Sequence, residues 1–260
     1  MLFVTIKRPL PTRLVLVVAV VLVLVAGAIG IGVSGNRLAL GGGLQTAENE
    51  KDVPVSGRLQ PMRQVDTTQK ALALTFDISW GDKTPPLILD VLRGYGVKAT
   101  FFLSGPWVNR QPAFVQQIKA DGHQIESHGH AHVNLSQYPA ERIAEEIRLS
   151  DQAISQVAGV KAKYIRPPNG DYSDIVIQTA AAGGYTVITW GTDSLDWKNP
   201  GVDAIVKRVL DRAHNGDVVL LHASDTCKQT HLALPAIIQG LRDRGFTLLT
   251  LDELVILSKK

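Results

Sequence analysis

The chain opens with an uneven distribution of apolar and polar positions. Residues 14–33 form a run of 20 positions without a charged or strongly polar side chain, and about 20 such residues are what a helix needs to cross a hydrocarbon core. The run is apolar on all sides and lacks the single stripe of a helix packed on a soluble core. Lys7, Arg8 and Arg13 precede it. Positive charge on the short leading side predicts a cytoplasmic N-terminus and a membrane anchor that carries the remainder across. Ala26-Gly27-Ala28 offers a weak small-residue cleavage site, but the apolar run exceeds the core of an ordinary secretory signal, so an uncleaved anchor is the expectation and a secreted form the alternative. Residues 34–55 include Gly41-Gly42-Gly43 and a polar, acidic stretch with neither hydrophobic period, and read as a linker.

From Lys70 onward the pattern changes to short β-rich runs alternating with amphipathic stretches. Strands are predicted at 71–76, 99–103, 124–126, 164–166, 186–190, 217–221 and 246–249, and helices at 84–93, 112–120, 140–157, 175–182, 202–213, 232–242 and 252–257. Seven βα repeats require parallel strands joined by right-handed crossovers, in either an open doubly wound sheet or a closed barrel. Asp77, Ser104, the cluster from His128 to His132, Arg166, Asp193 and His222 each fall at or just past a predicted strand end. Polar groups at nearly every C-terminal mouth favour a ring of strands around one site. The expectation is therefore an α/β domain, a distorted seven-stranded (β/α) barrel with imperfect closure, over residues 56–260.

Composition narrows the functional classes. The chain has 260 residues, 45% hydrophobic, with 27 Lys+Arg, 24 Asp+Glu and one cysteine. A disulfide scaffold and an intrinsically disordered chain are both excluded. Five of the basic and three of the acidic residues lie in the first 55 positions, leaving a nearly neutral body. Nothing in that body resembles an electrostatic footprint for nucleic acid. The lone Cys227 has no intrachain partner and is expected to be a buried or idle thiol.

Candidate chemistry lies in the loops. In Ser127-His128-Gly129-His130-Ala131-His132, His128 and His132 are four apart and can face one point, as a divalent metal requires, with His130 directed elsewhere. Asp77 ends the first apolar strand, and Arg166, at the head of Arg166-Pro167-Pro168-Asn169-Gly170, is a natural counter-ion for it. Asp196 and His222 form a second acid–imidazole candidate pair, in which the carboxylate would raise the imidazole pKa. Taken alone, Asp196 reads equally well as a loop cap and His222 as a buried structural histidine. Trp80, Trp107 and Trp197 suit either sugar stacking or plain core packing.

The series TFDISWGD, SHGHAH, RPPNG, DSLDW and LLHAS resembles, in order, the motifs of the polysaccharide deacetylases with NodB homology, carbohydrate esterase family 4, and most resembles the sporulation-associated PdaB-type branch. The resemblance covers residues 70–257. It implies metal-dependent hydrolysis of N-acetyl groups on amino sugars of peptidoglycan or chitin-like glycan. By motif position it implies a base at Asp77, an acid at His222, metal ligands at His128 and His132, a tether at Arg166, and a carboxylate at Asp196 that tunes the acid. It further implies substrate contacts at Trp80, Trp197, Leu220, Pro168 and Asn169, and a divalent cation, Zn²⁺ or else Co²⁺ or another. The partners expected are a cell-wall glycan and, through the anchor, a membrane.

Two positions depart from the pattern. Asn169 stands where the family often has Tyr, and the contribution expected there is a backbone N–H that Asn retains. Ile78 stands where the family carries a second, metal-binding carboxylate. Asp77, Asp82 or water would then complete the metal site, or metal affinity would be low and turnover weak; a catalytically impaired glycan-binding pseudoenzyme is the alternative function. Changing Ile78 to Asp is expected to restore the missing carboxylate beside the two histidines. Gly129, in place of the usual Ser or Thr, removes a hydroxyl that could brace the loop.

Overall fold

Eight short strands of a curled parallel sheet alternate with helices on its outer face in a computed structural model that describes residues 58–258. The expected anchor at 14–33, and all of the linker, lie outside the described residues, among which no helix is long and apolar enough to cross a membrane. In chain order the elements are β1 (Ala71–Ile78), α1 (Thr84–Tyr95), β2 (Thr100–Leu103), α2 (Gly105–Arg110), α3 (Pro112–Ala120), β3 (Gln124–Ser127), α4 (Ala140–Ala158), β4 (Tyr164–Ile165), α5 (Asp174–Ala182), β5 (Thr186–Val187), β6 (Thr192–Asp193), α6 (Val202–Arg212), β7 (Val218–His222), α7 (Thr230–Asp243), β8 (Thr247–Leu249) and α8 (Leu251–Ile256). Hydrogen bonds order the sheet β5-β4-β3-β2-β1-β7-β6, with β8 also pairing β1.

The period of two along β1 sorts the core into layers. Leu72, Leu74, Phe76 and Ile78 are fully buried in the cluster shared with the helices, which includes Leu89, Leu92, Trp107, Ile237 and Ile238. Ala71 and Ala73 belong instead to a smaller cluster with Phe102, Tyr164, Ile188, Val218, Leu251 and Leu254. This second cluster fills the hollow of the curl at the N-terminal ends of the strands. The helix α8, started by a capping box between Thr250 and Glu253, supplies two of its residues. Odd-numbered positions of β1 thus continue from apolar Ala71 and Ala73 through Thr75 to Asp77, so polarity rises toward the C-terminal mouth.

The curl does not close strand to strand. β5 and β6 are the two ends of the sheet, and the segment before β1 bridges from the residue after β5 to the residue before β7. Met62 pairs with Ile188 in parallel and Gln64 with Asp217 in antiparallel, through Met62 N–H to Val187 O at 2.9 Å and Val65 N–H to Gly216 O at 2.8 Å. Gly216 is required there: its φ is +74°, and a β-carbon would sit 1.8 Å from Val65 O. A buried carboxylate also replaces part of a ladder. Only one residue pair, Ser127 and Ile165, registers β3 with β4, and Glu126 Oε2 accepts the N–H groups of Lys163 and Tyr164 at 2.8 Å each. Burial pushes the Glu126 carboxyl up to about 7 despite those bonds.

Two predicted elements change. The stretch 186–190 is not one strand: β5 ends at Val187, and after Gly191 the chain forms β6 against β7, because this segment crosses from one side of the seam to the other. The extra helix α2 begins after extended Ser104 with Pro106 in its first turn, a start signal that the strand-end reading of Ser104 concealed.

Candidate active site

A cavity of about 490 Å³ opens at the C-terminal mouth, lined by Asp77, Ser79, Trp80, His128, His132, Asn169, Trp190, Asp193, Trp197, Leu220, His222, Ser224, Thr226 and Cys227. Parallel register builds it directly. Asp77 on β1 is the register partner of His222 on β7, and β3 ends at Ser127, one residue before His128.

Asp77 is buried, and its two oxygens face different neighbours. Oδ1 accepts a hydrogen bond from Arg166 Nη1 at 2.8 Å, while Oδ2 lies 3.6 Å from His128 Nε2. Arg166 has no solvent exposure. It donates a second bond from Nη2 to Thr189 O at 3.1 Å and lies 4.1 Å over the Phe102 ring. Burial alone would raise the Asp77 pKa, but Arg166, with His128 and His222, overcomes it and holds the carboxyl below its ordinary value.

His222 is tied in the opposite sense. Its Nδ1 donates to Asp196 Oδ1 at 2.7 Å, and its backbone N–H reaches Asp196 Oδ2 at 2.7 Å, which also accepts from Thr230 Oγ1 at 2.7 Å. Burial opposes protonation of the ring; Asp196, aided by Asp77 and Asp193, prevails and raises its pKa. One base-type and one acid-type group therefore line one cavity from adjacent strands.

His128 Nδ1 donates to Arg166 O at 2.8 Å, so Nε2 keeps its lone pair on the side facing Asp77. Burial lowers the His128 pKa to about 4, and also lowers that of His132. Both rings are neutral near pH 7, as metal ligands must be. Their centroids are 5.2 Å apart. Two neutral imidazoles and a carboxylate oxygen 3.6 Å from one of them form a donor set that suits an imidazole-preferring dication. A different trio, Asp196, His222 and Cys227, brings its donor atoms within 4.8 Å of one another. That group is already closed by hydrogen bonds, and burial pushes the Cys227 thiol up to about 12; it does not suit a cation.

Several sequence expectations change here. Ile78 does not line the cavity; it lies fully buried in the layer between sheet and helices. A carboxylate at this position would therefore enter the apolar layer, contrary to the simple restoration expected of Ile78→Asp. Asp82 is exposed and outside the cavity, with its backbone N–H bonded to Asp225 Oδ2 at 3.2 Å. Pro168 is buried beside Gly129 and is not a lining residue. Trp107 is core, with Nε1 donating to Gly81 O at 2.7 Å. His130 lies against Gly105, away from the cavity. Trp80, Trp197, Leu220 and Asn169 do line it, with Trp80 and Trp197 the more exposed. Sequence reading missed Trp190, whose neighbour Gly191 marks the seam crossing, and the loop Ser224 to Cys227, of which Ser224 Oγ accepts from Ser79 N–H at 3.0 Å.

Comparison with known proteins gives a consistent kinship. Residues 64–188 match the family model described as Polysaccharide deacetylase. The chain is 32% identical over 196 residues to the uncharacterized protein YlxY of Bacillus subtilis, covering 75% of this chain and 60% of that protein's length. It is 35% identical over 195 residues to a peptidoglycan-N-acetylglucosamine deacetylase of Bacillus cereus, covering 74% of this chain and 91% of that protein. Among solved structures, a family 4 carbohydrate esterase pseudoenzyme from Bacillus anthracis aligns with TM-score 0.72 at 28% identity, over 78% of this chain and 72% of that one. A mutant of that pseudoenzyme, described as having restored enzymatic activity, aligns with TM-score 0.72 at 29% identity, over 78% and 74%.

Proposed function

The chain belongs to the polysaccharide deacetylase family, and from that premise we propose that it hydrolyses the N-acetyl amide of amino-sugar residues in cell-wall glycan, peptidoglycan or a chitin-like polymer. The observation that carries this reading is the register pairing of Asp77 with His222, with the carboxyl pKa lowered by Arg166 and the imidazole pKa raised by Asp196. Asp77, kept ionised by Arg166, accepts a proton from the attacking water. His222, whose protonated form Asp196 favours, donates a proton to the amide nitrogen as the C–N bond breaks. Acetate and a free amine leave. A divalent cation held by His128 and His132, for which Zn²⁺ and Co²⁺ suit the imidazole donors, would supply the Lewis acidity that polarises the amide carbonyl. Asn169, with its left-handed backbone at φ 59°, is assigned to that oxygen through its N–H. Trp80 and Trp197 at the rim offer indole faces to sugar rings, and Leu220 forms an apolar wall for the acetyl methyl.

A second reading, a glycan-binding pseudoenzyme, is favoured by one observation. Position 78 supplies no carboxylate, which leaves Asp77 Oδ2, 3.6 Å from His128 Nε2, as the carboxylate oxygen on offer to a cation held there. A cation that captured Asp77 would remove the base. The likeness to a pseudoenzyme points the same way. Acetate release from peptidoglycan and from N-acetylglucosamine oligomers, with added Zn²⁺ or Co²⁺ and with chelator, separates the two. Metal-stimulated release supports the hydrolase, whereas glycan binding without release supports the pseudoenzyme.

The apolar run at 14–33 supports attachment to the cell membrane with the catalytic domain outside the cytoplasm. A sporulation setting rests on the motif resemblance. Protease accessibility in intact cells tests the orientation.

A further inference from the structure

The loop that carries the histidines turns sharply. Gly129 has φ 71° and His132 has φ 52°, both left-handed, the second at a residue with a β-carbon. Such a turn directs successive backbone N–H groups into one concavity. A single side chain fills it. Glu146 on α4 has no solvent exposure, and its Oε2 accepts the N–H of His130 at 3.0 Å and that of Ala131 at 2.6 Å. Its other oxygen, Oε1, is bound by Arg142 Nη2 at 2.6 Å, one turn earlier on the same helix. Four residues farther along the helix, Ser150 accepts a hydrogen bond from Ser127 Oγ at 3.0 Å, and Ser127 Oγ accepts the Gly129 N–H at 3.2 Å.

We propose that Glu146 is a positioning residue that locks the turn between His128 and His132 and so aims both imidazoles at one cation. The assignment rests on the cation reading given under the proposed function. His128 enters the turn from the end of β3 and His132 leaves it; the two residues whose N–H groups Glu146 holds lie between them. Arg142 neutralises the buried carboxylate and fixes its direction. The hydroxyl lost at Gly129 is thereby replaced from α4, and glycine suits the left-handed backbone at that position.

The test titrates full-length protein with Co²⁺, following affinity by calorimetry and coordination by visible absorption, below each variant's melting temperature. Glu146→Ala removes the acceptor, and Glu146→Met does so while keeping the volume, so the test survives if the alanine variant fails to fold. Glu146→Gln keeps an oxygen for the two N–H groups. Loss of a group that orients ligands typically weakens metal affinity by about 10–100-fold. The proposal expects that loss in Glu146→Met, with an altered Co²⁺ spectrum, and recovery to within about threefold of the parent in Glu146→Gln. Glu146→Met binding within threefold of the parent, or Glu146→Gln losing as much as Glu146→Met, would overturn it. His128→Ala is the control: normal Co²⁺ binding there would remove the cation reading itself, whereas lost binding there with unaffected Glu146 variants would remove only the positioning role.

Discussion

Asp77 and His222 are register partners on adjacent parallel strands, and each is fixed by a side chain of opposite charge: Arg166 to Asp77 at 2.8 Å and Asp196 to His222 at 2.7 Å. The two tethers push the pKa values apart, the carboxyl down and the imidazole up. Groups separated in this way can act as base and acid at one pH.

Arg166→Gln removes the main group that keeps Asp77 ionised. With burial then less opposed, the Asp77 pKa rises, and the acid limb of kcat/KM moves to higher pH. The variant also leaves a buried carboxylate without its ion-pair partner, a loss of about 3–5 kcal/mol in comparable buried pairs. A pH–rate profile together with a urea melt checks both effects. An unmoved acid limb would mean that Asp77 is not the group titrating there.

Asp196→Asn acts on the other limb. The amide cannot favour the imidazolium as the carboxylate does, so the His222 pKa falls and the basic limb moves to lower pH. At neutral pH the rate should drop by about 10-fold or more, part of the roughly 10²–10⁴-fold that a positioned acid contributes. Steady-state rates over pH 5 to 9 read the change directly.

Ile78→Asp without metal should unfold more easily. The side chain sits fully buried among apolar neighbours, and an unpaired carboxyl there costs several kcal/mol or takes up a proton. The chelator-treated variant should melt at lower temperature than the parent; an equal melting temperature would show that position 78 reaches polar surroundings.

His123 couples stability to pH. Its Nδ1 accepts the Ala99 N–H at 3.2 Å, its ring packs on Phe101, and burial lowers its pKa to about 4. A folded-state pKa below the unfolded value means that the unfolded chain binds the proton first, so this contribution is complete above about pH 6.5 and is lost as pH falls toward 4. His123→Gln should flatten the acid-side slope of stability by up to about 1.4 kcal/mol per pH unit. Glu126, raised to about 7, slopes the other way over part of this range, so the comparison of variant with parent is the informative quantity.

The alternation of strands and helices, and the polar residues at strand ends, were legible because each follows from a local period. Asp77, Arg166 and His222 could be singled out in advance because each ends or follows an apolar run, whereas Asp196 follows a polar stretch and its role rested on the motif DSLDW. Other features depend on contacts distant in sequence. Glu146 reads as an ordinary surface position in a charged stretch of helix, and only the approach of α4 to the histidine loop shows that it is buried. The seam segment around Met62 has no strand period of its own, since it forms isolated bridges to two separate parts of the sheet, beside β5 and at the start of β7. The inward or outward sense of Ile78 required knowing that β1 extends through that residue, which places it on the same face as Phe76.

Acetate release by full-length protein, parent against Asp77→Asn, measured with glycan affinity and added Zn²⁺ below both melting temperatures, tests the central claim most directly. The account predicts metal-stimulated release by the parent, loss of release in Asp77→Asn, and glycan affinity within about threefold between them. Release that persists in Asp77→Asn, or a parent that binds glycan and metal yet releases no acetate, would contradict it.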